Sequence, residues 1–398
     1  MKRTRILALG LSLLVFPHFL PSTLHAQISL VSVGHGNDQD EAEKVAVSGT
    51  HAYVADLNAG LGIYDVSNPS SVAALGFTGE DSSFNFGQAY AVAVSGNVAW
   101  LANFSDGLRT IDVSNPFSPA SIHDTNNGPF AVGVVLSGNY AYLANANDGL
   151  RIYAATNPAN PINVGHVSTG GSANAVAIAS HYAYVANSGD GLRIYDISNP
   201  AAPTLVGHAA ETNSGTVAAV AVSGNFAYLA NQADGLRIYN VSNPASPVST
   251  GHISDGGPAL DVALSGSFAL TANDSDGVRV YDVSNPASPV DVGHAVDNTY
   301  GGNALGLAIS ANYLYVADDI GGLLVYAIEP QLKILPTTTN TIVVSWPAIS
   351  SSFGLQQSSN LAVSGWMTVT NVPVTLGSKN QVVLTRSAGN RFYRLKSP

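Results

Sequence analysis

The stretch Leu192-Arg-Ile-Tyr-Asp-Ile-Ser-Asn-Pro200 decides the fold, because it joins a short apolar strand to an Asn-Pro turn and recurs along the chain. The strand has seven copies, at residues 61–65, 108–112, 150–154, 192–196, 236–240, 278–282 and 323–327. The turn has only six copies, since the last repeat ends without one. An outer strand without a repeat of its own, Leu30 to His35, stands near the N-terminus. This mismatch predicts that the first strand of the chain completes the last repeat.

Each repeat divides into four short runs separated by turn residues, as in residues 175–178, 182–187, 192–197 and 203–208. The period of about 44 residues suits a four-stranded propeller blade and exceeds one coil of a β-solenoid, the alternative architecture. The first run alternates small and large apolar residues, so both of its faces need cover, which neighbouring blades supply. The sequence therefore predicts an all-β fold, a seven-bladed β-propeller over residues 27–329 that is closed by the N-terminal strand.

The repeated strand resembles that of the LVIVD-repeat family, whose members are secreted or cell-surface proteins of bacteria and archaea. The resemblance covers about 300 residues and includes the Ser-Asn-Pro-x-x-Pro turn that the family usually shows. It implies a propeller fold, and it implies no particular biochemical activity.

Residues 330–398 form a separate segment in which Ser, Thr and Asn become frequent and the repeat ends. Thr341 to Trp346 and Gln381 to Thr385 alternate apolar and polar residues, which is typical of strands. Asn390-Arg-Phe-Tyr-Arg-Leu395, with Trp366, resembles small β-domains that end many secreted bacterial proteins. The sequence predicts a small basic C-terminal domain similar to a β-sandwich, and the resemblance brings no catalytic residues.

Residues 1–26 have the pattern of a signal peptide, with basic residues ahead of an apolar run. An uncleaved membrane anchor is the alternative, but Pro17 and Pro21 interrupt a run that is shorter than the roughly 20 residues that a span needs. We expect cleavage before Gln27 and no transmembrane segment in the mature chain. The mature protein is therefore expected to be secreted, periplasmic or on the cell surface. The chain contains no cysteine, so disulfides and thiolate sites are excluded.

Charge is divided unevenly between the two parts of the mature chain. Residues 27–329 contain six basic and 26 acidic residues, a formal net charge of −20, whereas residues 330–398 contain six basic residues and no acidic residue. Binding to nucleic acid requires a basic patch, so nucleic acid is not an expected partner of the propeller. A cationic ligand, a divalent ion or a basic surface suits it better.

Histidine recurs near the end of the outer strand, and one histidine per blade is too widely spaced for the ring to share a metal ion. We predict instead that each histidine supports the aspartate of an Asp-Gly turn in the next blade, in the manner of WD repeats. The predicted structural pairs are His166 with Asp190, His208 with Asp234, and His252 with Asp276. Direct contact of these residues with a ligand is the alternative, and the pattern identifies no metal ligands.

Two further repeated features leave alternatives open. Arginine recurs at one strand position, where it can bind an anion or pair with a carboxylate. Residues 145–148, 273–276 and 318–319 cluster oxygen ligands, which makes calcium a possible cofactor, although none matches the twelve-residue calcium loop. Asn and Asp are also ordinary turn formers.

The insertions between blades carry the ligand-binding candidates. The longest, residues 78–90, contains Glu80, Asp81, Phe84, Phe86 and Tyr90, and a shorter insertion contains Tyr300. Acidic and aromatic side chains on one rim can stack on a sugar or hold a basic peptide, whereas loop length without function is the alternative.

No motif of a hydrolase elbow, zinc protease, phosphate loop or dinucleotide fold occurs in the sequence. We therefore expect a monomeric, exported, non-enzymatic binding scaffold, associated with the cell envelope, that recognises an envelope glycan or protein through its loops. A hydrolase or lyase with its active site at the central channel is the alternative, and a purely structural envelope component is a third reading.

Overall fold

The computed structural model describes residues 27–37, 40–78, 88–125, 130–210, 215–254, 257–296, 299–349, 353–360, 365–387 and 389–396. The predicted signal peptide lies outside these residues, as do Glu80, Asp81, Phe84 and Phe86. Within the described ranges, no helix has the length and apolar character needed to cross a membrane.

Residues 28–330 form seven four-stranded antiparallel sheets, and each sheet is one blade. Blade 1 contains β2 (Ala42–Ser48), β3 (His51–Asp56), β4 (Gly60–Asp65) and β5 (Ala73–Phe77). Blade 2 contains β6 (Ala91–Ser95), β7 (Val98–Ala102), β8 (Leu108–Asp112) and β9 (Ala120–Asp124). Blade 3 contains β10 (Gly133–Ser137), β11 (Tyr140–Asn145), β12 (Gly149–Ala154) and β13 (Ile162–Val167). Blade 4 contains β14 (Ala175–Ala179), β15 (Tyr182–Ala186), β16 (Leu192–Asp196) and β17 (Thr204–Ala209).

Blade 5 contains β18 (Val217–Ser223), β19 (Phe226–Asn231), β20 (Gly235–Asn240) and β21 (Val248–Ile253). Blade 6 contains β22 (Asp261–Ser265), β23 (Phe268–Ala272), β24 (Val278–Asp282) and β25 (Val290–Ala295). Blade 7 contains β26 (Gly306–Ser310), β27 (Tyr313–Ala317), β28 (Leu323–Pro330) and, as its outer strand, β1 (Ile28–Gly36). The predicted seven-bladed propeller is thereby confirmed.

The first strand of each blade lies innermost and contacts the first strands of both neighbouring blades, including β26 against β2 across the point of closure. Side chains from facing sheets fill the space between blades; for example, buried Leu192 and Ile194 of blade 4 pack with Val217 and Val220 of blade 5. This packing explains the alternation of Ala and Val in the inner strands, because both faces of each sheet are covered.

The N-terminal strand closes the ring as predicted. β1 pairs antiparallel with β28 from Ile28 opposite Pro330 to Gly36 opposite Leu323. Its ladder has a β-bulge between Ser32 and Gly34, and the outer strands of the other six blades have a bulge at the matching place. The N-terminal strand is therefore an outer strand of the same kind as the others.

The two faces of the ring carry different turns. The face that we call the upper face carries the turns between second and third strands and the connections between blades, whereas the lower face carries the Ser-Gly and Asn-Pro turns. Each second-to-third turn has a glycine at positive φ, such as Gly191 at 93°. A side chain is disfavoured at that angle, which accounts for the repeated Asp-Gly pair. Backbone hydrogen bonds join neighbouring blades on the upper face, as between Ala146 and Ala173.

A glycine in the outer strand lies directly against the Asn-Pro turn of the next blade. A Cβ atom added to Gly207 would stand 1.8 Å from the carbonyl oxygen of Pro244, and one added to Gly165 would stand 1.9 Å from that of Pro200. The same contact joins Gly251 to Pro286 and Gly34 to Pro69. The outer-strand glycine and the Asn-Pro turn of the next blade are therefore two halves of one contact between blades.

The C-terminal residues form two sheets. One contains β29 (Lys333–Pro336), β30 (Thr341–Pro347), β34 (Lys379–Thr385) and β33 (Val374–Leu376), and the other contains β31 (Gly354–Ser358), β32 (Met367–Thr368) and β35 (Phe392–Lys396). Buried Val344 and Trp346 of the first sheet pack with Leu355 and Tyr393 of the second. The two sheets thus face each other across one apolar core, in agreement with the predicted β-sandwich character.

The C-terminal sheets also contact the lower face of blade 6. The hydroxyl of Ser378 donates a hydrogen bond to the carboxylate of Asp282, at the end of β24. Ile349 joins the apolar cluster between blades 6 and 7, and Ala348 lies beside Gly266 in the first turn of blade 6. These contacts lie at the lower face of the ring, on the side opposite the second-to-third turns.

Candidate functional site

A cluster of Asp, Arg and His recurs on the upper face in blades 3 to 6. In blade 4, Arg193 Nε donates to Asp190 Oδ2 at 2.5 Å, and His208 Nε2 bonds to the backbone oxygen of Asp190 at 2.8 Å. Asn187 Nδ2 donates to the same carboxylate at 2.9 Å. Burial raises the pKa of the Asp190 carboxyl, but the hydrogen bonds from Arg193 and Asn187 outweigh burial and hold that pKa below its usual range.

The predicted histidine pairs are wrong by one blade. His166 bonds to Asp148 rather than Asp190, His208 bonds to Asp190 rather than Asp234, and His252 bonds to Asp234 rather than Asp276. The reason is the register of the sheet, which sets each outer-strand histidine opposite the arginine of its own third strand, as His208 opposite Arg193. Each cluster therefore supports the turn of its own blade. The arginines pair with these carboxylates, so the carboxylate alternative holds for them.

A second polar position in the same clusters was not predicted from the sequence. A buried Asn or Asp is the last residue of the second strand or directly follows it in every blade: Asp56, Asn103, Asn145, Asn187, Asn231, Asn273 and Asp318. In blades 2, 3 and 4 the asparagine amide orients the turn aspartate three residues later. The signal was the repeated spacing Asn-x-x-Asp.

Asp190→Ala will lower the free energy of unfolding by about 1 to 3 kcal/mol, because it leaves the partly buried donors of Arg193 and Asn187 without their acceptor. Urea denaturation of the parent, Asp190→Ala and Asp190→Asn proteins measures this change. We expect Asn at this position to recover part of the loss. A loss of only a few tenths of a kcal/mol would instead favour a role in ligand contact.

The clusters are incomplete in the three other blades. Blade 1 has Gly62 and Phe77 in place of the arginine and histidine, as the pairing of these two residues shows. Blade 7 keeps His35, but the side chain bonds to the backbone oxygen of Gly321 at 2.8 Å, where no aspartate stands. Blade 2 has Asp124 in the histidine position, next to Arg109. The repeated pattern is therefore broken on one side of the ring.

Aromatic side chains gather on that side of the upper face. The ring centroids of Tyr90 and Phe104 lie 5.2 Å apart, and those of Phe104 and Phe130 lie 4.5 Å apart. Phe130 is 38% exposed. We call Tyr90, Phe104 and Phe130 the aromatic patch. It combines residues from the connections that enter blades 2 and 3 with one from the second-to-third turn of blade 2.

The repeat does not require aromatic residues at these positions. The counterparts of Phe104 in other blades are Leu57, Ala146, Ser188, Gln232, Asp274 and Asp319, and those of Phe130 are Glu41, Gln88, Ser172, Thr216, Pro258 and Asn303. Phe104 and Phe130 both have positive φ, at 36° and 68°. At the Phe104 position positive φ belongs to the turn of the repeat, since Ala146, Ser188, Asp274 and Asp319 share it, but only blade 2 places an aromatic residue there. Bulky residues rarely adopt this conformation, and such residues concentrate at functional sites.

Carboxylates lie beside the aromatic patch at the upper mouth of the central channel. Glu43 and Tyr90 occupy the same position in blades 1 and 2, directly before the inner strand or at its start. Burial raises the pKa of the Tyr90 phenol, and the charges of Glu43 and Glu41 raise it further. The patch is thus apolar with an acidic border.

The mouth of the channel also contains an ion pair that spans three blades. Lys44 Nζ lies 2.9 Å from Asp261 Oδ2 of blade 6 and donates to the backbone oxygen of Leu305 in blade 7 at 3.1 Å. Asp261 accepts from the backbone N–H of Leu307 at 2.9 Å. Gly306 lies in the path of the lysine, since an added Cβ would stand 2.9 Å from Lys44 Cδ. Gly306 of blade 7 therefore leaves room for the ion pair between Lys44 of blade 1 and Asp261 of blade 6.

Burial raises the pKa of Glu43 to about 7, with Lys44 opposing the shift and Asp319 and Glu41 adding to it. Glu43 is thus able to hold or release a proton near neutral pH. The described residues contain no group of three or more His, Asp or Glu placed to hold a metal ion.

The repeat matches a known protein family. The LVIVD repeat matches at residues 40–76, 86–125, 130–169, 170–210, 214–255, 256–296 and 301–326. The chain belongs to the LVIVD-repeat family. The seventh match is shorter than the others, in keeping with a last LVIVD repeat that takes its outer strand from the N-terminus.

Among solved structures, the chain is similar to the computationally designed protein Ika8 in one of its crystal packings. The TM-score is 0.53 at 10% sequence identity, and the match covers 76% of this chain and 100% of that one. This similarity concerns the fold alone. No curated protein sequence matches the chain.

The candidates named from the sequence are separated in this LVIVD-repeat protein. Tyr90 lies in the aromatic patch. Tyr300 stacks on His35 in blade 7, with ring centroids 3.7 Å apart and planes inclined by 10°. Glu80, Asp81, Phe84 and Phe86 lie outside the described residues, so their role in binding stays a prediction. Phe104, Phe130, Glu41 and Glu43 were not named from the sequence, because the strand register is needed to bring them together.

Glu43→Gln will change how the stability of the LVIVD propeller depends on pH. The pKa of Glu43 is about 7 in the folded protein against an ordinary value of 4.5, so the folded protein holds this proton more tightly than the unfolded chain. The stability that Glu43 contributes is then fully present below pH 4.5 and is lost as the pH rises through 7. Between pH 5 and pH 8 the free energy of unfolding of the parent should fall by up to about 2 kcal/mol more than that of the variant. This figure is reduced from the full pKa shift because Glu43 is partly exposed to solvent. Urea midpoints at the two pH values test this, and parallel curves would contradict it.

Proposed function

We propose that this protein is an exported, non-enzymatic binding module of the cell envelope, in which the upper face of the propeller recognises an envelope glycan or protein. The observation that carries the proposal is the aromatic patch. Its two phenylalanines stand where most other blades have small or polar residues, have a disfavoured backbone conformation and remain partly exposed. Exposed aromatic rings provide large contact area for sugar rings and for protein side chains.

The acidic border of the patch defines the charge of the ligand. Glu41 and Glu43 adjoin Tyr90 within a propeller segment of net charge −20. An anionic ligand would be repelled, whereas a neutral or cationic group gains from the carboxylates. A neutral glycan can stack on the rings and donate hydroxyl hydrogen bonds to the carboxylates, and a basic peptide segment can place a cation over a ring.

Export and envelope association rest on the sequence. Residues 1–26 have the pattern of a signal peptide, and residues 330–398 supply six basic residues without an acidic one. In this proposal the C-terminal domain attaches the protein and the upper face provides selectivity. Attachment at the lower face of blade 6 leaves the aromatic patch accessible.

Binding to lipid-free envelope fractions tests the role of the patch. The chain from residue 27 is titrated with the glycan fraction and, separately, with the extracted protein fraction of the envelope. Phe104→Ala/Phe130→Ala should weaken binding to one fraction at least tenfold. Phe117→Ala is the matched control, since this phenylalanine is 69% exposed on the lower face. Equal binding by the parent and the double variant would refute the proposal.

A hydrolase or lyase at the central channel is the second candidate, and one observation favours it. Carboxylates of different blades converge at the upper mouth, and Glu43 has the pKa of a general acid or base. Asp261 is already paired with Lys44, so the second catalytic carboxylate would be Asp319, whose charge acts on Glu43. Release of sugar or peptide fragments from envelope material, abolished by Glu43→Gln, would support catalysis.

A further inference from the structure

The C-terminal sheet formed by β29, β30, β34 and β33, which we call the tail sheet, has an apolar outer face. Its inner face packs into the sandwich through Val344, Trp346 and Val382. On the outer face the exposed fractions are 48% for Leu335, 57% for Val383 and 59% for both Val374 and Leu376.

These four residues lie side by side, because the register pairs Leu335 with Val343 and Val343 with Val383. Val374 pairs with Gln381 and Leu376 with Lys379, two and four positions from Val383 on the same strand face. We call Leu335, Val374, Leu376 and Val383 the apolar row. A continuous exposed row of this kind is unusual on a soluble domain and marks an interaction surface.

Two lysines share the face with the apolar row. Lys333 precedes Leu335 by two residues on β29, and Lys379 pairs with Leu376. Burial and the charge of Lys379 lower the pKa of Lys333. Residues 330–398 contain six basic residues and no acidic residue, so this domain carries a positive formal charge. The face therefore favours an occupant that is both apolar and negatively charged.

The chemistry of the row narrows the choice of occupant. Two copies of the tail sheet face to face would oppose their lysines, so a symmetric dimer is disfavoured. Strong protein interfaces depend on Trp, Tyr and Arg anchors, whereas this row consists of Val and Leu. Aliphatic side chains with lysines beside them suit the boundary between lipid headgroups and acyl chains, where the lysine can reach the phosphates.

We infer that the outer face of the tail sheet is a docking surface for an anionic lipid bilayer. The inference rests on the envelope association in the proposed function and identifies the surface that provides it. Because the C-terminal domain contacts the lower face of the ring, docking would keep the aromatic patch available to ligands.

Vesicle binding by the full chain from residue 27 tests the inference, with phosphatidylglycerol and phosphatidylcholine vesicles as probes. The parent should bind the anionic vesicles at least tenfold more tightly, and the difference should shrink with salt. Val374→Ser/Val383→Ser and Lys333→Gln/Lys379→Gln should each weaken this binding at least tenfold. Arg391→Gln/Lys396→Gln removes equal charge from β35 and the residue directly before it, and should change vesicle binding less than threefold. Urea midpoints confirm that each variant is folded.

Three results would overturn the inference. If Val374→Ser/Val383→Ser bound anionic vesicles as tightly as the parent, binding would depend on charge alone and the apolar row would have no part in it. No vesicle binding by the parent would exclude the bilayer. A concentration-dependent assembly that the same variant abolishes would identify a second copy, docked through its acidic propeller, as the occupant. Phe104→Ala/Phe130→Ala should bind vesicles like the parent, so failure at the tail sheet is distinguishable from failure at the aromatic patch.

Discussion

A chain that lacks residues 27–36 will lose most of its folding stability. Blade 7 then has no outer strand, and the edge of β28 is exposed from Leu323 to Pro330. Ile28 is only 5% exposed and packs with Val280 and Val292 of blade 6, so the deletion also opens the apolar core between blades 6 and 7. We expect a loss above about 5 kcal/mol, which is comparable with the whole stability of many domains.

Thermal and urea denaturation of the chains that begin at residues 27 and 37 measures this loss. A synthetic peptide of residues 27–36 serves as the matched control, because it should restore stability when it occupies the open edge. A scrambled peptide of the same composition should not. An unchanged melting temperature in the shortened chain would argue against closure by this strand.

Gly207→Ala will be strongly destabilising, although it adds only one methyl group. The new Cβ would stand 1.8 Å from the carbonyl oxygen of Pro244, far inside van der Waals contact. That oxygen belongs to the backbone of a proline turn, so it cannot rotate away as a flexible side chain would. Blades 4 and 5 must separate, which we expect to cost about 3 kcal/mol.

The matched control is Gly189→Ala in the same blade, where nothing lies within 4 Å of the added Cβ. It should change the free energy of unfolding by less than about 0.5 kcal/mol. Urea denaturation of the two variants compares them directly. If both variants matched the parent, the contact between Gly207 and the Asn-Pro turn would not be a source of stability.

Much of the fold was predictable because the third strand recurs seven times and the Asn-Pro turn six times. The missing seventh Asn-Pro turn and the strand at Leu30 together indicated closure, and the pairing of Ile28 with Pro330 confirms it. The bulge at Val33 was not predictable, because a bulge depends on how two strands pair.

The candidate site was less predictable, because its parts come from different blades. His166 was assigned to the next blade since sequence spacing alone does not say which turn an outer strand reaches, whereas the register places it at Asp148. Phe104 and Phe130 are 26 residues apart in the sequence, and only the bridge between Phe104 and Ala131 brings them into contact. Tyr90 was predicted as a ligand contact because it lies in the longest insertion. It belongs to the aromatic patch because it directly precedes the inner strand β6, where its ring reaches Phe104.

The pairing of the first strand with the last blade sets the order of folding during synthesis. Ile28 leaves the ribosome about 300 residues before its partner Pro330, which at 5 to 20 residues per second is roughly 15 to 60 s. Six blades can form as local hairpins in this time, while the seventh waits for a contact of very high sequence separation. The ring is therefore the last element to mature, and an incompletely synthesised chain is left open, with an unpaired edge that a chaperone or protease can recognise.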